Sequence, residues 1–257
     1  MRHGSFAQID HRPFPLPSGR WRYSQIWSDL AFFHWPVSPR WLRKKIPLGL
    51  EIDEFEGRAW IGVVPFRLWI RRRGFPALPR IQIFPEINVR TYVSVDGRPG
   101  VWFFSLDAPS PLAIWAARRF FHLPYERSRF EVSVPPHAAA RNDASMIEYQ
   151  SSRVVGPAAT FRGRYRPTGP VTLARPGTLD HFLTERYCLY SEDSHGTLYR
   201  GHVHHVPWPL QSMEAEIDEN TMAAPLGLEL DGPPEHLTFA QRIEVSTWPL
   251  ERVRKAR

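Results

Sequence analysis

The chain has 257 residues, of which 42% are hydrophobic, and a formal net charge of +7. A chain of this length buries roughly three-quarters of its unfolded surface, so its fold requires neither a disulfide nor a metal. Cys188 is the only cysteine and no apolar run is long enough to span a bilayer, which excludes an intrachain disulfide and a transmembrane helix. We therefore expect a cytoplasmic protein with no membrane association and no secretion signal.

The positive charge raises the question of nucleic-acid binding. The 33 basic residues include only three lysines, and the arginines are scattered among 26 acidic residues. Binding to a phosphate backbone needs basic side chains gathered on one face. The sequence therefore does not favour a nucleic acid as the partner.

Predicted elements in the first half of the chain are mostly strands. A polar lead-in over residues 1–20 precedes a short helix over 39–45, with Ser38 as its N-cap. Strands follow at 52–56 and 59–66. The clearest strand covers 81–95, where apolar and polar residues alternate with period two. Asp96-Gly97 then predicts a hairpin into a strand over 101–106.

The second half continues this pattern. One helix is predicted from Ser110 to about 122, with Leu112, Trp115 and Phe120 on its apolar face, and another from Thr178 to about 190. Strands are predicted at 129–134, 145–154, 159–166, 197–205, 213–217 and 237–247, before a basic tail over 248–257. Since strands greatly outnumber helices, we predict a mainly β protein with a few peripheral helices, folded as one domain over residues 1–257.

Nine short stretches, taken in order, resemble the YqjF-like family of uncharacterised bacterial proteins, which is related to acetoacetate decarboxylase. They are residues 33–35, 47–50, 59–66, 86–93, 103–108, 123–125, 177–179, 183–187 and 205–210. The resemblance implies a closed, double-layered antiparallel β structure, the acetoacetate-decarboxylase-like barrel, around an internal pocket.

The resemblance does not extend to the decarboxylase's lysine pair. The decarboxylase has a strand glutamate, which Glu86 resembles, ahead of a segment that ends in Pro-Lys-Lys. Here the similar segment, residues 117–126, keeps Arg118 and a proline but has Tyr125 and Glu126 in place of the two lysines. In acetoacetate decarboxylase a neighbouring cation lowers the lysine pKa so that an imine can form. Tyrosine forms no imine, so the resemblance implies the fold and a pocket but not the reaction.

The candidate site follows from the strand over 81–95. Glu86, Asn88 and Arg90 share its polar face, and we expect them, with Arg118 and Tyr125, to line a pocket for a small ligand. Arginine suits an organic anion, and a buried Glu86 suits acid/base chemistry. The alternative is that other strands satisfy these side chains for structural reasons, for example Arg118 pairing with Glu86.

Two functions remain open. One is a module that binds a small anionic or carbonyl-bearing metabolite without a Schiff-base lysine. The other is a non-imine enzyme, of lyase or hydrolase type, that uses Glu86 as acid/base and an arginine as clamp. We expect no cofactor, and whether the chain forms a homo-oligomer stays open.

Other constellations favour structural roles. His202 and His204 share a strand face, but a metal site needs three or four ligands, so we expect no metal. The alternating arginines at 162, 164 and 166 favour a solvated face over an anion-binding stripe. Cys188 is expected in the core rather than as a nucleophile.

Overall fold

The computed structural model describes residues 3–74, 83–134, 146–230 and 232–253. Fourteen β-strands and three α-helices form in these ranges. The strands are β1 (Tyr23–Val37), β2 (Glu51–Ile52), β3 (Ala59–Arg72), β4 (Ile83–Val95), β5 (Arg98–Ala108), β6 (Tyr125–Ser133), β7 (Ile147–Arg153), β8 (Thr160–Pro167), β9 (Cys188–Glu192), β10 (Leu198–His204), β11 (Leu210–Gln211), β12 (Met213–Asn220), β13 (His236–Thr247) and β14 (Glu251–Arg252). The helices are α1 (Pro39–Leu42), α2 (Pro111–Phe121) and α3 (Leu179–Thr184).

Seven strands close into a ring. Their order is β5-β9-β10-β13-β1-β3-β4, and β4 pairs back onto β5. The closing ladder is antiparallel and runs from Ile87↔Asp107 to Val95↔Arg98. Parallel pairings also occur, because β5 runs parallel to both β6 and β9. The closed β structure is therefore confirmed, although its sheet is mixed rather than purely antiparallel.

A second layer covers part of this ring. Strands β6, β7, β8 and β12 extend from β5 in that order. Between the layers, Phe33, Val63 and Val89 of the ring pack with Tyr149 and Phe161 of the outer strands, all at most 1% exposed. The double-layered arrangement implied by the resemblance is thus present.

The interior of the ring is largely apolar. Side chains from β1, β3, β10 and β13 meet there, including Phe32, Val64, Val203 and Val245. Leu189 of β9 packs against the same cluster, so strands from opposite sides of the ring meet in its interior. A polar side chain that points into this space therefore leaves water.

Four strands were not predicted from the sequence: the long β1, the strand β9, and the two-residue strands β11 and β14. In β1 both faces are buried from residue 29 to 35, so that the apolar residues 30–33 follow one another without alternation. The helix predicted from Thr178 to about 190 ends at Thr184, and Cys188–Glu192 is strand β9. Pairing with β5 and β10 overrides the helical spacing there, so that part of the prediction is wrong.

Helix α2 forms where predicted, but its predicted apolar face is not buried. Ile114 is its only buried residue, whereas Leu112, Trp115 and Phe120 are 73%, 57% and 55% exposed. The predicted residues 81–82, the loop over 135–145 and the last four residues of the tail lie outside the described residues. Among the described residues, no helix has the length and apolar content needed to cross a membrane.

The two layers are joined by a buried ion pair. The Arg153 guanidinium donates to both carboxylate oxygens of Asp107 at 2.8 and 2.9 Å, and the Ser128 hydroxyl adds a bond of 2.7 Å. The side chains of Arg153 and Asp107 are 3% and 1% exposed. Removing one partner would leave the other charge buried without compensation.

We expect Asp107→Ala to lower the free energy of unfolding by about 3–5 kcal/mol, measured by urea denaturation, because Arg153 loses its carboxylate. The matched control is Glu216→Ala, which removes the acid of a cross-strand pair with Arg164 whose side chains are more than half exposed. The control should leave the unfolding free energy almost unchanged. Equal effects of the two variants would contradict the structural role of the buried pair.

Candidate functional site

Strand β4 carries three polar side chains into the ring. Glu86, Asn88 and Arg90 alternate along it and are only 2%, 4% and 9% exposed. The guanidinium carbon of Arg90 lies 5.3 Å from the ring centroid of Phe32, a member of the apolar interior. The face predicted to be polar therefore points inward, away from solvent.

Glu86 lies at one end of this row. The Tyr125 hydroxyl donates a hydrogen bond of 2.8 Å to its Oε2, and the Tyr149 hydroxyl donates one of 2.8 Å to its backbone carbonyl. Burial raises the pKa of Glu86 to about 8; the nearby Asp107 adds to the rise and the bond from Tyr125 opposes it. The Glu86 carboxyl is therefore mostly protonated at neutral pH.

Arg118 does not join this group. It lies on α2, which packs outside the ring against β5 and β6, and its side chain is 52% exposed. Its Nε donates to the Tyr125 carbonyl at 2.6 Å and its Nη2 to a Glu126 carboxylate oxygen at 2.9 Å. The expectation that Arg118 lines the pocket is corrected accordingly: it holds the backbone of the segment that presents Tyr125.

Asn88 and Arg90 have unmatched polar atoms in the interior. Neither Oδ1 of Asn88 nor Nε of Arg90 has a hydrogen-bond partner among the residues that the structure describes. Buried polar atoms in folded proteins are nearly always hydrogen-bonded, so each such atom calls for an explanation. These two lie two residues apart on one strand face.

Gly62 makes room for the side chains around Arg90. It pairs with His34 on β1 and with Arg90 on β4, so the three residues lie in one row across three strands. A Cβ atom at this position would meet the His34 ring at 3.0 Å and Cγ of Arg90 at 3.4 Å. The missing side chain lets the imidazole and the arginine stem lie over the strand from either side.

Sequence reasoning missed the histidine in this row. His34 is fully buried, and its Nε2 lies 2.6 Å from the hydroxyl of Tyr92, another inward residue of β4. Its Nδ1 lies 3.3 Å from Nδ1 of His236 on β13. The stretch around His34 contributed only to the family resemblance, because β1 was not predicted as a strand.

The remaining sequence candidates have structural partners. His202 bonds Glu251 at 2.8 Å, and Nδ1 of His204 accepts a bond of 3.2 Å from Arg12. Within the described ranges no three His, Cys, Asp or Glu side chains come together as a metal site would require. The alternating arginines of β8 form pairs with acids of β12, which are Arg162–Asp218, Arg164–Glu216 and Arg166–Glu214.

Cys188 is buried, as expected, and burial raises its thiol pKa. Lys44 and Lys45 lie exposed just after α1, with the Lys45 ammonium 5.6 Å from the centroid of the Trp41 ring. The third lysine, Lys255, lies outside the described residues. No described lysine therefore reaches the interior of the ring.

Comparison with known families decides the membership of the chain. The model of DUF2071, described as an uncharacterized conserved protein, matches residues 24–244. The chain belongs to the DUF2071 family. The chain is also similar to the uncharacterized protein YqjF of Bacillus subtilis (strain 168), with 40% identity over 246 residues that cover 95% of this chain and 98% of YqjF.

Solved structures share the fold of this DUF2071 protein at low sequence identity. The enduracididine biosynthesis enzyme MppR superposes with a TM-score of 0.65 at 11% identity, covering 90% of this chain and 87% of MppR. An acetoacetate decarboxylase-like enzyme from Sphingomonas wittichii RW1 has a TM-score of 0.61 at 13% identity, covering 97% and 100%. An acetoacetate decarboxylase superposes with a TM-score of 0.59 at 13% identity, covering 97% of this chain and 96% of the decarboxylase. The chain therefore has the acetoacetate-decarboxylase-like fold.

The raised pKa of Glu86 predicts a specific pH dependence of stability. The folded state holds the proton up to a pH of about 8, whereas the unfolded state releases it near the ordinary value of 4.5. The contribution of the protonated Glu86 carboxyl to stability is thus complete below pH 4.5 and is lost as the pH rises to about 8. Over this range the free energy of unfolding falls by up to ~1.4 kcal/mol per pH unit.

Glu86→Gln should remove this fall. In urea denaturation across this range, the wild type should lose stability relative to the variant until about pH 8 and then stay parallel to it. Glu131→Gln, at an exposed position of β6, is the matched control and should leave the shape of the pH profile unchanged. Parallel profiles of wild type and Glu86→Gln over the whole range would show that Glu86 is ionised in the folded state.

Proposed function

We propose that the interior of the ring binds a small organic anion, of the carboxylate or carbonyl-bearing class, through Arg90 and Asn88. The observation that carries this proposal is the buried Nε of Arg90 and Oδ1 of Asn88, each without a partner in the described part of the chain. A guanidinium offers planar paired donors that match a carboxylate, and the amide oxygen accepts from a ligand hydroxyl.

The other buried arginines make Arg90 stand out. Arg153 pairs with Asp107, Arg186 with Asp53, and Arg200 with Glu251. Among the described residues, no carboxylate forms an ion pair with Arg90. A buried cation is costly unless an anion accompanies it, so a bound anion is the natural counterpart of this guanidinium.

The structural relatives support the class of ligand. One structure of MppR is complexed with pyruvate, a small keto acid, and has a TM-score of 0.62 at 13% identity with this chain. Acetoacetate decarboxylase is named for another keto acid. At such identity only the fold is shared, so a keto acid is a proposed ligand of this chain and the first probe to use.

The proposed binding does not involve an imine. Tyr125 lies beside Glu86 where the resemblance places the reactive lysine, and a phenol cannot condense with a carbonyl. Lys44 and Lys45 are exposed on the outside of the molecule. The protein therefore acts as a binding module without Schiff-base chemistry.

A second candidate is a non-imine enzyme. The specific observation in its favour is the pKa of Glu86, which at about 8 suits a general acid near neutral pH. Since Glu86 and Arg90 are about 13 Å apart along the strand, such an enzyme would need a substrate long enough to touch both. Binding alone requires only Arg90 and Asn88. Turnover of keto or hydroxy acids that is lost in Glu86→Gln would favour the enzyme.

The proposal is tested by calorimetric titration with pyruvate and a panel of small keto and hydroxy acids. We expect Arg90→Ala to weaken binding by at least about tenfold, because a hydrogen bond to a charged group contributes ~1.5–3 kcal/mol. Arg118→Ala, which alters an arginine outside the ring, should keep the wild-type affinity. No binding by the wild type, or equal binding by Arg90→Ala, would contradict the proposed site.

Borohydride treatment with acetoacetate or pyruvate should trap no covalent adduct, because no described lysine lies in the interior. Intact-protein mass spectrometry gives the readout, with peptide mapping of any adduct. A stoichiometric adduct mapped to Lys44 or Lys45 would show that imine chemistry does occur in this protein.

A further inference from the structure

Four side chains form a continuous hydrogen-bonded chain from the surface to the ring interior. Asp180 on α3 lies 2.6 Å from Nε2 of His236 on β13, whose Nδ1 lies 3.3 Å from Nδ1 of His34 on β1. His34 Nε2 in turn lies 2.6 Å from the Tyr92 hydroxyl on β4. The Asp180 and His236 side chains are 44% and 11% exposed, whereas His34 and Tyr92 are fully buried.

Donor and acceptor roles along this chain can be assigned in two complete ways. With both histidines neutral, Tyr92 donates to His34 Nε2, His34 Nδ1–H donates to His236 Nδ1, and His236 Nε2–H donates to Asp180. With one extra proton on His236, the inner bonds reverse: His236 Nδ1–H donates to His34, and His34 Nε2–H donates to the Tyr92 oxygen. The hydroxyl proton of Tyr92 is then free for another acceptor.

We propose that Asp180, His236, His34 and Tyr92 are a proton relay that exchanges a proton between solvent and a carbonyl ligand held by Arg90. The use of the proton rests on the proposed function, while the relay itself does not depend on any ligand. It extends that function from binding to proton transfer at the ligand's carbonyl oxygen or adjacent carbon.

The proton balance of one transfer is complete. The Tyr92 O–H bond breaks as a bond from that hydrogen to the ligand forms, and the Tyr92 oxygen takes the proton of His34 Nε2. His34 Nδ1 takes the proton of His236 Nδ1, and His236 returns to its neutral form. One proton has entered from solvent beside Asp180, one has reached the ligand, and no other reactant is needed.

The charges around the relay favour movement of a proton from solvent toward the ligand. His34 faces Arg90, His236 and Tyr92; its burial, His236 and Arg90 all hold its pKa well below the ordinary range, so His34 passes a proton on without holding two. The Asp180 carboxylate lies at the outer end, 2.6 Å from His236 Nε2. At the inner end the guanidinium carbons of Arg90 and Arg186 lie 5.7 and 5.0 Å from the Tyr92 ring centroid, and Arg186 is paired with Asp53.

The relay is tested without ligand by nitrogen NMR of protein labelled with ¹⁵N-histidine. As the pH falls, the His34 resonances should exchange identity, so that the pyrrole-type nitrogen moves from Nδ1 to Nε2. A His34 tautomer that stays fixed over the whole pH range in which the protein remains folded would overturn the relay.

Two variants separate the relay from local structure. Tyr92→Phe removes the hydroxyl that accepts from His34 Nε2, so the exchange of His34 nitrogens should be lost. Tyr165→Phe removes another fully buried tyrosine hydroxyl, which donates to the Asp29 carbonyl at 3.2 Å, and should keep the exchange. If Arg90→Ala loses ligand binding but keeps the His34 tautomer exchange, both proposals are supported. If the wild type binds none of the keto and hydroxy acids tested, only the proposed function is contradicted.

Discussion

The pairing of β4 with β5 is the constraint on which the rest of the molecule depends. By closing the ring, this ladder leaves residues 86–93 of β4 with no face toward solvent. Ile87 and Val89 pack against the outer layer, and the polar side chains between them point into the ring. Every polar side chain in this buried stretch must therefore find a partner, stay uncharged or hold something that the described part of the chain does not supply. Each outcome occurs in this stretch. Tyr92 finds a partner in His34, Glu86 stays uncharged by keeping its proton, and Arg90 keeps a donor without a partner among the described residues.

The same closure explains why the polar row lies where it does. The antiparallel register places His34, Gly62 and Arg90 side by side across three strands, and the absent side chain of Gly62 lets the other two approach. The histidine and the arginine thus lie close together, and burial, His236 and Arg90 all lower the pKa of His34, which keeps it neutral. A larger residue at position 62 would separate the inner end of the hydrogen-bonded chain from the arginine that it is proposed to serve.

The sequence predicted those parts of the fold and site that depend on local pattern. Alternation along β4 correctly indicated one apolar face and one polar face, and the family resemblance brought Tyr125 to Glu86. The long strand β1 gave no alternation because both its faces are buried, and the contact between His34 and His236 depends on a register that no local signal encodes. Arg118 was misplaced because sequence similarity does not indicate which side of α2 faces the ring.

Tyr125, at the position where the resemblance to acetoacetate decarboxylase implies a lysine, determines the chemistry of its neighbour Glu86. An ammonium beside a buried carboxyl would favour the carboxylate by direct attraction. A phenol donates one hydrogen bond but carries no charge, which offsets only part of the cost of burial, so Glu86 keeps its proton to a pKa of about 8. With the phenol of Tyr125 as its partner, the buried Glu86 is a neutral acid rather than a carboxylate near neutral pH. A neutral acid, a phenol and a guanidinium that has no carboxylate partner among the described residues fit the proposed binding of an anion better than they fit nucleophilic attack on a carbonyl.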